Sequence, residues 1–113
     1  CSRITKPGII LTCHCVFIQF RPEVTALQKN QWWQEIIQLK QKIPGLIDVL
    51  VGPNQKFEQL DKGYSEGFIA IFSDAQALAR YQNYPAHQAT GAQLVAHAVG
   101  GKEGIFAYDL QVP

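Results

Sequence analysis

Residues 12–20 read Thr-Cys-His-Cys-Val-Phe-Ile-Gln-Phe, and this stretch decides the fold that we predict. Successive side chains of a strand point to opposite faces. Both faces of this strand would be largely apolar, with His14, Val16, Ile18 and Phe20 on one and Cys13, Cys15 and Phe17 on the other. A strand with one side in water is polar on that side. We therefore predict a strand that is covered on both faces.

Helical and strand-like patterns alternate along the rest of the chain. The predicted strands are 12–20, 46–51, 67–72 and 105–110. The first predicted helix is 24–43, and the second helical segment is divided by Pro85 into 74–83 and 85–99. A capping box at Ser73 to Gln76 opens this second segment. The order β-α-β-β-α-β predicts an α+β, ferredoxin-like fold with a four-stranded antiparallel sheet. We place this domain at residues 12–110 and treat residues 1–11 as an N-terminal extension.

Right-handed crossovers would place both helices on the same face of that sheet. We expect the other face to be the one that carries His14, Val16, Ile18 and Phe20. An apolar sheet face of several hundred Å² is larger than a soluble monomer usually exposes. A second copy should therefore cover it, giving a homodimeric α/β barrel with His14 pointing into the interior between the sheets.

Composition limits the function classes that fit the 113 residues. The chain has 47% hydrophobic and 17% charged residues and a formal net charge of +1, without the basic excess of a nucleic-acid-binding protein. In Cys13-His14-Cys15 the thiols and the imidazole would point to opposite faces of the strand, so we expect no metal site there. The three cysteines do not suggest a disulfide framework.

The N-terminal apolar stretch, from Gly8 to Phe20, contains His14 and Gln19 and is too short to span a bilayer. We expect no transmembrane segment. A chain that starts at Cys1 is also what a lipoprotein signal peptidase leaves, so a lipid-anchored envelope protein stands as an alternative to a cytoplasmic one.

The segment Tyr-Gln-Asn-Tyr-Pro-Ala-His, residues 81–87, places two proton-handling side chains around a proline. Pro85 should end one helix and begin the next, which puts His87 in a first helical turn. The helix dipole there disfavours imidazolium, so we expect His87 to be a neutral imidazole that can accept a proton. A purely structural hydrogen bond across the helix junction is the alternative for His87, and Tyr81 has a core role as its alternative.

In these features the chain resembles the stress-responsive dimeric α/β-barrel family, often called Dabb. The resemblance covers roughly residues 12–110 and is carried by short motifs in the right order: His14 with the strand that follows it, Ile43-Pro44-Gly45, Gly63-Tyr64, Tyr81 through Pro85-Ala86-His87, and Asp109. Within the family the chain looks most like a plant polyketide cyclase.

That resemblance implies site residues. In the cyclase the histidine of Pro-Ala-His is a base and the tyrosine six residues earlier helps to bind substrate, so His87 and Tyr81 are the candidate catalytic residues. The strand histidine of its pocket matches His14, and we expect Ile18, on the same strand face, to contact substrate as well. Glu66 stands where the cyclase has a histidine, which changes the charge of the pocket unless Glu66 is only a solvated carboxylate.

Together these features predict a protein that binds a small hydrophobic or aromatic ligand. Acid/base chemistry with His87 as base, either an aldol closure or a related lyase reaction, would need no metal or organic cofactor. The alternative is a non-catalytic, stress-responsive binding or assembly protein of the same fold. We assign His97, close to Gly100, to electrostatics at a helix end.

Overall fold

The computed structural model describes residues 10–113, so the expectations for Cys1 and for most of the N-terminal extension lie outside the described residues. The chain forms the predicted ferredoxin-like fold. Its elements are β1 (Leu11–Ile18), α1 (Ala26–Gln38), β2 (Leu46–Pro53), β3 (Glu66–Phe72), α2 (Ala75–Asn83), α3 (Pro85–Ala96) and β4 (Ile105–Val112). Short 3₁₀ turns at Leu39–Gln41 and Gly101–Gly104 follow α1 and precede β4.

The four strands form one antiparallel sheet in the order β2-β3-β1-β4. Strand β1 is central, and it places His14 opposite Ala70 of β3 on one side and Asp109 of β4 on the other. Residues that lie opposite each other in an antiparallel pair project to the same face. This register therefore brings His14 and Asp109 together, although 95 positions separate them in the chain.

The prediction of which face is bare was wrong. Val16, Ile18 and Phe20 belong to the main core with α1 and α2, so the strand face that carries His14 is the one the helices cover. Both faces of β1 are apolar, and the alternation alone does not say which of them meets the helices. The helix-free side, which we call the open face, carries five large side chains that are each 38% to 55% exposed: Phe17, Leu50, Phe106, Tyr108 and Leu110.

Helix α1 begins at a capping box that the sequence reading missed. Thr25 accepts a hydrogen bond from the Gln28 amide, and the Gln28 side chain accepts one from the Thr25 amide. The adjacent residues Trp32 and Trp33 are both buried. Trp32 is covered because the end of α3 reaches it, with the ring of His97 4.8 Å away between centroids.

The chain turns sharply between α2 and α3, as predicted from Pro85. Tyr84 ends α2 with extended angles (φ −74, ψ 124), and Pro85 occupies the first turn of α3. The N-cap of α2 is Asp74, whose carboxylate accepts from the Ala77 amide, and the expected capping box at Ser73 does not form. The short carboxylate of Asp74 already reaches the orphan amide, which leaves Ser73 outside the helix.

Two contacts hold α2 against the turn before β2 and so fix the position of Tyr81. The Ser73 amide donates to the Gly45 carbonyl at 2.8 Å, and the Arg80 guanidinium donates to the Pro44 carbonyl at 3.0 Å. Gly45 has a φ of +90, and a Cβ there would lie 2.6 Å from the Cβ of Ala77. Only glycine allows this close approach. In the part of the chain that the structure describes, no helix is long and apolar enough to cross a membrane.

Candidate active site

The junction between α2 and α3 brings Tyr81 and His87 into contact. Tyr81 lies in the last turns of α2 and His87 in the first turn of α3, so the bend at Pro85 folds one ring over the other. The ring centroids are 3.9 Å apart and the planes are inclined by 37°. Tyr81 is fully buried, and the ring of Phe72 packs edge-on against it at 5.2 Å.

One polar atom of each ring is buried without a hydrogen-bond partner. They are the Oη atom of Tyr81 and the Nδ1 atom of His87, and no other described residue supplies them with a donor or an acceptor. Buried polar groups in proteins are nearly always paired, and an exception calls for an explanation. Two adjacent exceptions make this junction the candidate functional site.

Burial sets the protonation state of both groups. It lowers the pKa of His87 from 6.5 to about 4, and the nearby His14 ring lowers it further by electrostatic repulsion. The Gln82 and Tyr81 carbonyl groups oppose this shift, but neither is close enough and well enough aligned to form a hydrogen bond with Nδ1 of His87. The direction agrees with the expectation from the sequence, but desolvation leads and not the helix dipole. Burial also raises the pKa of Tyr81, so the tyrosine stays a hydroxyl and a hydrogen-bond donor.

His14 completes the cluster from the sheet. Its Nδ1 atom lies 2.6 Å from Oδ1 of Asp109, and its ring centroid is 5.8 Å from that of Tyr81. The side chain therefore points beneath α2, and the prediction that it points into the space between two sheets was wrong. The carboxylate accepts a hydrogen bond from the Nδ1 proton of His14 and so orients the ring.

The other two predicted site residues lie at the far end of the sheet. Ile18 is fully buried in the core and lies opposite Glu66 in the β1–β3 register. Glu66 is four positions along β3 from Ala70, the residue opposite His14, which is about 13 Å at the usual strand rise. Its carboxylate forms an ion pair with Lys29. The structure thus brings together His14, Tyr81 and His87 and separates them from Ile18 and Glu66.

The partner of Asp109 could not be identified from the sequence. Asp109 was identified from the sequence only as one of the residues that carry the family resemblance, and the structure pairs it with His14. Only the β1–β4 register could have found this pair, and no turn connects those two strands. His97 lies at the other end of α3, where its Nδ1 atom bonds to the Gln93 carbonyl at 2.7 Å. Among residues 10–113, no group of three or more His, Cys, Asp or Glu side chains could hold a metal ion.

Comparison with known proteins extends these observations. The family model described as the stress responsive A/B barrel domain matches residues 13–112. Olivetolic acid cyclase from Cannabis sativa is 26% identical over 78 residues, which are 69% of this chain and 77% of the cyclase.

Solved structures give the same picture of the fold. A dimeric ferredoxin-like protein of unknown function from Jannaschia sp. CCS1 is 33% identical with a TM-score of 0.85, covering 90% of this chain and 99% of that chain. Hydroxynitrile lyase from Passiflora edulis has a TM-score of 0.76 at 13% identity, covering 91% of this chain and 94% of the lyase. At that identity the likeness concerns the fold alone.

Proposed function

The chain belongs to the stress responsive A/B barrel domain family, and from that premise we propose that it is a cofactor-independent acid/base catalyst with His87 as the base. The observation that carries the proposal is the pair of buried, partnerless atoms, Oη of Tyr81 and Nδ1 of His87. A catalytic base with a hydrogen-bond donor next to it, here with ring centroids 3.9 Å apart, is what proton abstraction next to a carbonyl requires.

The proposed reaction begins with a neutral His87. Its unprotonated ring nitrogen takes a proton from a carbon next to a carbonyl group, and the C–H electron pair moves onto the carbonyl oxygen as an enolate. The Tyr81 hydroxyl donates a hydrogen bond to that oxygen as its charge develops. The enolate carbon then attacks a second carbonyl group of the same molecule, which closes the ring with a new C–C bond and leaves an alkoxide. The alkoxide takes the proton back from the His87 imidazolium, which restores the neutral base.

His14 and Asp109 act as positioning groups in this scheme. The 2.6 Å hydrogen bond that His14 donates to Asp109 holds the imidazole beside Tyr81, where Nε2 can bind a hydroxyl group of the substrate. The surrounding rings of Phe68 and Phe72 favour an aromatic or hydrophobic substrate. The relative named as a cyclase supports ring closure over other fates of the enolate.

The protein is further proposed to be a homodimer that buries the open face. Five large apolar side chains on one sheet face form a patch of the kind that marks a protein interface. The Jannaschia protein, described as dimeric, supports the same assembly here. His14, Tyr81 and His87 all lie under the helices of one chain, so each subunit would contain its own site.

A carbon acid that needs no specific recognition tests this chemistry directly. A base removes the ring C–H proton of nitrobenzisoxazole, and the C–H electron pair forms a nitrile. The N–O bond breaks at the same time, and its electron pair stays on the oxygen of a coloured phenolate. We expect kcat/KM to rise with pH through about 4, the pKa of buried His87, and to stay level through neutral pH. An inflection at 6.5, the ordinary value for an exposed histidine, would contradict a buried base. Binding of the probe without turnover would favour the non-catalytic alternative.

Tyr81→Phe should separate stability from function. The substitution removes a buried hydroxyl that has no partner, so we expect the free energy of unfolding to rise by about 1 kcal/mol. Turnover of nitrobenzisoxazole should fall about 100-fold, as it does when one donor to a developing oxyanion is lost. Urea denaturation and initial rates on the same sample measure both effects. A loss of stability with unchanged turnover would make Tyr81 a structural residue.

A further inference from the structure

A pocket of about 560 Å³ lies on the open face, under the connection between β2 and β3. None of His14, Tyr81 and His87 lines it, so it is separate from the proposed catalytic site. Its volume falls within the range of about 300–1,000 Å³ that is typical of small-molecule sites. Its lining includes the apolar and aromatic side chains of Phe17, Leu50, Tyr64, Ile69 and Phe106.

Two glycines that lie opposite each other, Gly52 in β2 and Gly67 in β3, also line this pocket. A Cβ on Gly67 would lie 2.6 Å from the Phe17 ring, so packing alone explains that glycine. Among residues 10–113, a Cβ on Gly52 would meet nothing within 4 Å, and the Gly52 backbone lacks the positive φ that favours glycine. A glycine weakens a strand. At position 52 neither packing nor backbone angles call for it, and what it provides is open pocket volume.

The wall formed by residues 54–65 is held in place by its own hydrogen bonds. Asn54 Nδ2 donates to Asp61 Oδ2 at 2.9 Å and to the Tyr64 carbonyl at 3.0 Å, and the Gly63 amide donates to Asp61 Oδ1 at 2.9 Å. Three non-glycine residues in this connection, Lys56, Gln59 and Lys62, have left-handed φ angles between 55° and 60°. Such angles cost energy and persist only where the surroundings enforce them. The pocket is therefore preformed.

The chemistry of the lining identifies a ligand class. Phe106 is 6.4 Å from Phe17 and 6.2 Å from Tyr64 between ring centroids, which gives an aromatic surface on more than one side. The charged groups of the lining do not call for a charged ligand: Asp61 accepts hydrogen bonds from Asn54 and Gly63, Glu66 is paired with Lys29, and Lys62 is an exposed residue. We propose that this pocket is a second binding site, for a small, flat, uncharged aromatic molecule, and that Gly52 makes room for it. A second copy on the open face would close over the ligand.

Naphthol, a flat uncharged bicyclic alcohol, is a suitable probe. We expect saturable shifts of the Gly52, Tyr64 and Gly67 amide resonances of the full chain in an NMR titration. Gly52→Val places a branched side chain in the pocket and suits a strand, so it should raise the Kd at least tenfold without lowering the melting temperature. Gly91→Ala, which adds a methyl group where nothing lies within 4 Å on α3, is the matched control and should bind as the wild type does.

Three outcomes would overturn the proposal. Equal affinity of Gly52→Val and the wild type would remove Gly52 from the site. Shifts confined to Tyr81 and His87 would place naphthol in the catalytic cluster. Absence of naphthol binding to the wild type would remove the site. If the Gly52→Val dimer were also weaker, a side chain of the second copy would be the group that fills the pocket. Naphthol binding is measured at the Gly52 amide, whereas catalysis is measured from the coloured product. A failure of the proposed function can therefore be told apart from a failure of this second site.

Discussion

Replacing His87 by glutamine should lower kcat/KM for nitrobenzisoxazole about 100- to 10,000-fold, the range that a positioned general base contributes. Glutamine is close to histidine in size and can form hydrogen bonds, but its amide does not accept a proton at neutral pH. The half-buried His87 ring lies at the helix surface next to Tyr81, so the fold should survive the change. Stopped-flow or steady-state absorbance of the phenolate product measures the loss.

The matched control for this prediction is His97→Gln. His97 is the C-cap residue of the same helix, and its side chain forms a hydrogen bond with the Gln93 carbonyl. Its replacement should leave kcat/KM within about twofold, since it contributes no proton transfer in the proposed scheme. Circular dichroism should show the same helical content in both variants. Retained turnover in folded His87→Gln would remove His87 from the mechanism, whatever the behaviour of Tyr81.

The sequence was sufficient for the element order and for the bend at Pro85, because proline and periodicity act locally. It was insufficient for the orientation of β1. Both faces of that strand are apolar, with Val16 and Ile18 on one and Cys13 and Phe17 on the other, so the pattern is the same whichever face meets the helices. The contact between His14 and Tyr81 decides it in the structure. Reversing the face moves His14 from a dimer interior to a position beneath α2 in its own chain, beside Tyr81.

The pairing of His14 with Asp109 shows a second limit. The two strands that carry them are neighbours in the sheet, but no hairpin connects β1 to β4, and so no turn geometry sets their register. A shift by one residue would have turned Asp109 to the open face. The left-handed residues of the β2–β3 connection, such as Lys56, were equally beyond reach, because a lysine gives no local sign of a positive φ.

The second large effect is expected at the proposed dimer interface. Tyr108 on β4 is 55% exposed on the open face, so a single chain does not need it for its core. In a twofold interface Tyr108→Asp places one unpaired carboxylate from each subunit in the buried patch. At about 2 kcal/mol for each lost anchor, the dimer should weaken by about 4 kcal/mol, which is roughly a thousandfold in Kd. Sedimentation velocity over a concentration series measures the change.

Leu27→Asp provides the control, because it introduces the same charge on a residue that is 79% exposed in the first turn of α1, away from the sheet. An acid at a helix start is favourable, so this variant should remain a dimer of wild-type stability. A Tyr108→Asp protein that sediments as a dimer with unchanged Kd would contradict burial of the open face. We expect Tyr108→Asp to give a folded monomer that still turns over nitrobenzisoxazole. Tyr81, His87 and His14 belong to one chain, and the helices that enclose them lie on the side of the sheet away from the open face.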